Sequence, residues 1–210
     1  SIENALGGMI DVIGRGVNRS ISSLALEIPG FSGNLASTNK RDGSDLINLQ
    51  EAIEQANVND DRKLYLTSRS NADLLNVYAN YNYKDAEASG VLGNKFNFDI
   101  MSDNQAITHK AGSASANAGL KLASDASAGT LVFNITAAVG DRFVKGDVIV
   151  IAGTEQTFAV ASTVVAVAGA NAIPVTTAVV EAISANSAVT VVGDHRIDLA
   201  CTPTFAMMVT

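Results

Sequence analysis

Apolar residues recur at helical spacing at the start of the chain. A first helix is predicted by residues that follow one another at intervals of three or four, namely Ile2, Leu6, Met9, Ile13, Val17, Ile21 and Leu24. Gly14 and Gly16 lie inside this pattern, and each glycine costs a helix about 1 kcal/mol relative to alanine. Because an isolated helix of this kind is weak, its apolar face needs a packing partner in the chain or on another subunit.

The next part of the chain predicts helices and strands in alternation. Ser44 is the expected N-cap of a helix that has Asp45 in its first turn. The apolar face of that helix consists of Leu46, Leu49, Ile53 and Ala56. A strand at 63–67, a short helix from 70 through 78 and, after a glycine turn at 90–93, an alternating strand at 96–100 are predicted to follow.

Small residues and short apolar runs dominate the second half. Residues 112–129 are rich in Gly, Ala and Ser and are predicted to be a linker. Six strands are predicted beyond it, at 131–135, 148–151, 157–160, 164–167, 175–180 and 189–192. Short strands at this spacing indicate a small antiparallel barrel or sandwich, inserted into a parent fold that resumes with the strand-like residues 196–200.

Charge supports the same division of the chain. Residues 1–111 carry 10 Lys or Arg and 14 Asp or Glu, whereas residues 112–194 carry 3 and 6. We therefore predict an α+β core domain at 1–111 and 195–210, interrupted by an all-β barrel-like domain at 112–194. The formal net charge of −7 lacks the basic surplus that generic nucleic-acid binding requires, and no apolar run is long enough to span a membrane.

An ordered set of segments resembles one protein family. The segments are Asp45–Ala52, Asp60–Ser68, Ala72–Leu75, Lys95–Ile100, Lys145–Gly153, His195–Ala200 and Phe205–Ala206. Together they resemble the major capsid proteins of tailed bacteriophages, of the short-tailed P-twenty-two type with an inserted β-barrel. Family members are longer, with further segments before the first of these helices and after the return strand.

The resemblance implies a fold and a role. The fold would be a partial capsid domain of the Hong Kong ninety-seven type, and the role would be that of a structural subunit that tiles an icosahedral shell around phage DNA. Its partners would be other copies of itself, together with scaffolding, portal and decoration proteins, and it would lie near packaged DNA without reading its sequence. It would be assembled in the host bacterial cytoplasm, would reside in the virion and would have no membrane contact.

The residues offer little for catalysis. His109, His195 and Cys201 are the histidines and the cysteine of the chain. Asp194, His195 and Cys201 could in principle form an acid, base and nucleophile set, but His195 and Cys201 lie roughly 20 Å apart along an extended strand. We expect no enzyme activity and no catalytic residue.

Binding signals are similarly weak. Asp60, Asp61, Asp99 and Asp103 lack the alternating acidic loop of a strong calcium site. The glycines at 7–8 and 14–16 lack the preceding strand and the Gly-Lys-Ser/Thr of a phosphate loop, and close helix packing explains them better. Tyr78, Tyr81 and Tyr83 have only Lys84 as a basic neighbour, which favours an apolar edge or a subunit interface over base stacking. We expect no cofactor and no metal.

Two other classes of function stay open. A β-rich adhesion or carbohydrate-binding module of a surface protein would explain the Ala, Thr and Val content after residue 112, and it would leave residues 44–100 unexplained. A hydrolase or metal enzyme would require a pocket that gathers His109, His195 or Cys201 with carboxylates.

Overall fold

A computed structural model gives the fold as a mixed α+β arrangement with several small sheets. It describes residues 12–17, 19–20, 22–28, 31–32, 40–55, 61–79, 92–103, 107–202 and 206–209. Residues 12–17, 19–20 and 22–23 are helical and lead into a 3-10 turn at Leu24–Glu27. The predicted first helix is therefore confirmed for this stretch, while Ile2, Leu6, Met9 and Ile21 lie outside the described residues.

Two α-helices follow, α1 at Gly43–Gln55 and α2 at Ser68–Ala79. The predicted N-cap of α1 is wrong, because Asp42 caps the helix instead of Ser44. The Asp42 carboxylate accepts a hydrogen bond from the Ser44 backbone N–H at 2.8 Å, and the Asp45 carboxylate accepts one from the Asp42 N–H at 2.9 Å. This reciprocal arrangement is a capping box. The capping hydrogen bond from the Ser44 side chain, followed by those from the backbone, lowers the pKa of Asp42.

Helix α2 begins two residues before the predicted position. The Thr67 hydroxyl accepts the Ser70 backbone N–H at 3.2 Å, so Thr67 provides the cap.

One mixed sheet unites the two ends of the chain. Within the described residues it contains six strands: Phe31–Ser32 (β1), Arg62–Leu66 (β2), Asn94–Lys95 (β3), Phe98–Ser102 (β4), Asp198–Cys201 (β15) and Ala206–Val209 (β16). Their spatial order is β1, β16, β15, β2, β4, β3. Strand β15 runs antiparallel to β2, and β2 runs parallel to β4.

The core of this part lies between the helices and the sheet. Its buried residues are Leu46, Leu49, Ile53, Leu64, Leu66, Leu74, Leu92, Phe98, Ile100 and Ala200. The face predicted for α1 is thus the buried face, except that Ala56 lies outside the described residues. The predicted strand at 96–100 begins two residues later, at Phe98, because a hairpin turn lies at Phe96 and Asn97, both of which have positive φ. Of the predicted glycine turn at 90–93, residues 90 and 91 lie outside the described residues.

Residues 112–194, called the β module below, have their own buried core. The strands between residues 108 and 196 are Thr108–His109 (β5), Lys121–Leu122 (β6), Val132–Thr136 (β7), Arg142–Phe143 (β8), Val148–Ile151 (β9), Thr157–Ala159 (β10), Val164–Val165 (β11), Ala170–Pro174 (β12), Val189–Val191 (β13) and His195–Arg196 (β14). The core of the module includes Phe133, Phe143, Ile149, Phe158 and Ile173, all fully buried. The rings of Phe133 and Phe158 pack edge to face, with their centroids 4.8 Å apart.

Several predictions for the module are wrong. The described strands form no closed barrel, and they pair as small separate sheets: β10–β9–β13, β12–β7–β6 and β11–β8. Residues 112–129 are no linker, since they contain a 3-10 turn at Ser113–Ala116 and strand β6, and they bury Leu120 and Leu122. The run at 175–180 forms no strand among the described residues, and β12 precedes it instead. The domain boundaries stay a prediction.

Candidate functional site at the stem

The chain enters and leaves the β module through two paired strands. Strands β5 and β14, called the stem below, run antiparallel, and His109 lies directly opposite His195. Both histidines are buried, with 5% and 1% of their surfaces exposed, and the centroids of their rings lie 5.1 Å apart. The structure thus brings together the two histidines that the sequence left 86 positions apart.

Asp147 connects the stem to the module. Its carboxylate is fully buried and lies 2.7 Å from Nε2 of His109. The same carboxylate accepts backbone hydrogen bonds from Val144 at 2.7 Å and from Gly112 at 3.2 and 3.3 Å. A buried carboxylate with several donors is stable in place, because these hydrogen bonds replace those of water. Gly146, with φ of +90°, makes the turn that presents Asp147.

His195 is bonded at only one ring nitrogen among the described residues. Its Nδ1 lies 2.8 Å from the carbonyl oxygen of Gly193, so this nitrogen donates its proton. Its Nε2 is buried and has no hydrogen-bond partner within the described part of the chain. Burial is the largest cause that lowers the pKa of His195, and the nearby charges of His109 and Arg41 act in the same direction.

Further ion pairs join the return strand to the first half of the chain. Nε of Arg41 lies 2.9 Å from Asp198, and both side chains are at least 95% buried. Asp198 also accepts the backbone N–H of Thr67 at 2.7 Å. Nη1 of Arg196 lies 2.8 Å from Asp73 of α2. The stem is therefore held from the side of the sheet as well as from the side of the module.

An exposed pair lies beside these buried ones. Nζ of Lys110 is 2.6 Å from Asp194, which also accepts the backbone N–H of Ala111 at 2.9 Å. The hydrogen bond from Lys110, followed by that from Ala111, lowers the pKa of Asp194. The Asp194 carboxylate therefore bonds to Lys110 and Ala111 and does not bond to His195.

The cysteine lies elsewhere. Cys201 is in the wall of a cavity of about 510 Å³ that is also lined by Ala25, Tyr65, Met101 and Leu199. Neither His195 nor Asp194 is among the described residues that line this cavity. Burial raises the pKa of the Cys201 thiol, which opposes formation of the nucleophilic thiolate. The set of Asp194, His195 and Cys201 is consequently not assembled as a relay.

The remaining sequence candidates are also dispersed. Asp99 accepts a hydrogen bond from Asn94, Asp61 is exposed, and Asp60 lies outside the described residues. Over the described ranges, no three His, Cys, Asp or Glu side chains gather as metal ligands. Tyr78 of α2 packs against the core, whereas Tyr81, Tyr83 and Lys84 lie outside the described residues.

The described part of the single chain shows no close packing at two of the early glycines. A Cβ added at Gly14 or Gly16 would meet nothing within 4 Å. Gly7 and Gly8 lie outside the described residues. No helix in the described part of the chain is long and apolar enough to cross a membrane.

The sequence predicted the two histidines as candidates but missed their partners. Asp147 was visible only as part of the segment Lys145–Gly153, and nothing in the sequence pointed to the pairs of Asp198 and Asp73. Sequence separation explains this, since Arg41 and Asp198 are 157 positions apart.

The chain was compared with protein families, with curated proteins and with solved structures. No protein-family model matches the chain, and no curated protein matches it. The fold is similar to that of a chain from Mycobacterium phage Che8, with a TM-score of 0.44 and 11% sequence identity. The match covers 100% of this chain and 63% of the length of that chain. The family of the chain stays a prediction.

Proposed function

We propose that the chain is a structural subunit of a tailed-phage capsid, with a core of the Hong Kong ninety-seven type and an inserted β module. One observation carries the proposal. The segments that resemble short-tailed phage coat proteins fall, in order, on α1, β2, α2, β4, β9 and β15. Each segment alone is common, and the specificity lies in the order.

The path of the chain supports the insertion. After the module, β15 returns to the sheet and pairs with β2, more than 130 positions earlier in the chain. The largest buried cluster contains residues from 114 to 191 alone. A module with its own core, entered and left through one paired stem, is what an insertion into a parent fold requires.

Exposed apolar side chains supply a reason to assemble. Ile13, Val17 and Leu24 of the first helical stretch are 65%, 55% and 58% exposed. Shell subunits bury such surface in repeated heterologous contacts, and many weak contacts add up through multivalency. In this mechanism no covalent bond changes, and the work is done by burial and geometry.

Assembly is the property to test. The full-length gene product, expressed with its neighbouring genes, is to be studied by negative-stain microscopy and by sedimentation velocity. We expect closed shells or arcs of shells. A protein that stays monomeric at high concentration would contradict the proposal, and glycan binding by that monomer would favour the adhesion module.

A double variant sharpens the test. Ile13→Ser with Val17→Ser should reduce the fraction of assembled protein, because both side chains are exposed in the single chain and become buried on assembly. The urea unfolding midpoint of the monomer serves as the control and should stay unchanged. Normal assembly of this variant would show that the first helix makes no contact between subunits.

A further inference from the structure

The chain contains two histidines, and the fold places both at one point. They face each other across the stem, with His109 also 2.7 Å from the Asp147 carboxylate. The stem carries the chain into and out of the β module, beside a buried cluster in which Val148 and Val192 of the module pack with Ala25 and Ile197. Any change in charge at this point therefore acts on the connection between the β module and the rest of the chain.

The hydrogen bonds of His195 define which form of its ring fits the site. Nδ1 must carry a proton, because its partner at 2.8 Å is the carbonyl oxygen of Gly193. A neutral ring then has a bare lone pair at Nε2, which is buried. A second proton at Nε2 would create a buried donor that has no acceptor among the described residues, and this costs free energy.

The charges that face His195 come from three directions. His109 on β5 and Arg41, which is paired with Asp198, oppose a positive charge on the ring. Asp147 favours a positive charge, as does the Gly193 carbonyl. Asp147 is, however, already bonded to His109 and to backbone donors. Burial also opposes a positive charge on the ring and makes the largest contribution, so the pKa of His195 is lowered.

We propose that the facing histidines form a pH-sensitive latch, which holds the β module to the rest of the chain at neutral pH and loosens when His195 takes up a proton. The latch belongs to the stem of the single chain. It does not depend on the proposed role in a capsid.

The direction of the pH effect follows from linkage. His195 in the unfolded or opened stem has the ordinary pKa of 6.5, and in the closed stem its pKa is lower. The open stem therefore binds the proton more readily, and the closed stem is fully favoured only above pH 6.5. As the pH falls below this value, the opening equilibrium constant rises by at most about tenfold per pH unit, which is the limit for one proton.

The first measurement follows the titration of the two rings directly. The ring resonances of the two histidines are followed by NMR in the full chain from pH 8 to pH 4.5, and His109→Gln identifies which resonance is which. We expect His195 to titrate below 6.5. A midpoint at or above 6.5 would overturn the proposal.

The second measurement tests the opening itself. Hydrogen exchange of amides in 107–112 and 193–198, corrected for intrinsic rates, is compared between pH 7.5 and pH 5 with that of amides in β7 and β12. Stem amides should lose protection selectively in acid. His195→Gln keeps an amide donor but cannot titrate, so the acid dependence of its stem should be clearly smaller than that of the unmodified chain.

A matched control separates the latch from other charges nearby. Lys110→Gln removes the exposed ion pair with Asp194 at the same stem and should leave the acid dependence unchanged. Equal acid dependence in His195→Gln and in the unmodified chain would refute the latch. Failure of the chain to form shells would leave these measurements unaffected, so the two proposals fail separately.

Discussion

Gly112 is the residue whose replacement tests the stem most directly. A Cβ built at this position would lie 1.8 Å from the carbonyl oxygen of Arg142 and 3.1 Å from the carboxylate of Asp147. Its backbone, with φ of −70° and ψ of 165°, suits any residue. The obstacle to alanine is therefore steric, and it comes from backbone atoms that cannot rotate away.

The magnitude follows from what must move. Relief of the overlap requires the backbones of Gly112 and Arg142 to separate, and overpacking of this kind costs about 1–3 kcal/mol. Separation also weakens the hydrogen bond from Gly112 N–H to buried Asp147, and hydrogen bonds to charged groups contribute about 1.5–3 kcal/mol. We expect Gly112→Ala to lower the free energy of unfolding by about 3–5 kcal/mol.

Urea unfolding followed by far-ultraviolet circular dichroism measures this loss. Gly193→Ala is the matched control, because Gly193 lies next to the same stem and an added Cβ would meet nothing within 4 Å. Its stability should change by less than about 1 kcal/mol, in the stabilising direction, since alanine restricts the unfolded chain. If the free energy of unfolding of Gly112→Ala lies within about 1 kcal/mol of that of the unmodified chain, the close approach of Gly112 to Arg142 is refuted.

Two further substitutions test the interior on either side of the stem by the same unfolding measurement. Asp198→Asn leaves the buried charge of Arg41 without its carboxylate and should cost about 3–5 kcal/mol, and a loss below about 1 kcal/mol would contradict the buried pair. Phe158→Ala removes a fully buried ring that packs on Phe133 and should also cost about 3–5 kcal/mol. Val180→Ala, at a side chain that is 72% exposed, is the control and should change stability by less than about 0.5 kcal/mol.

Periodic patterns predicted the elements that are buried on one face. Leu46, Leu49 and Ile53 recur at helical spacing, and they are the buried residues of α1. In β2, alternation marked Leu64 and Leu66 as the inward side chains. These signals are local, because a single face packs against a core and the period alone identifies that face.

The periodic patterns did not predict the turns and the short strands. The hairpin between β3 and β4 turns at Phe96 and Asn97, and a bulky aromatic at positive φ is not a turn signal that a sequence offers. Strand β12 reads Ala-Asn-Ala-Ile-Pro and is a strand because it pairs with β7. Its buried side chains, Asn171 and Ile173, do not form a recognisable apolar run.

The polar residues of β14 and β15 have a further consequence for how the chain finds its register. Along these two consecutive strands, His195 packs against His109, Arg196 bonds to Asp73, and Asp198 bonds to Arg41. A slip of one residue would turn every side chain of either strand to its opposite face. Each charge would then lose its partner in a buried place, at a cost well above that of misplacing an apolar residue. Apolar residues at these positions could supply comparable stability, but they would tolerate the slip, so the ion pairs account for a single way of joining the module to the sheet.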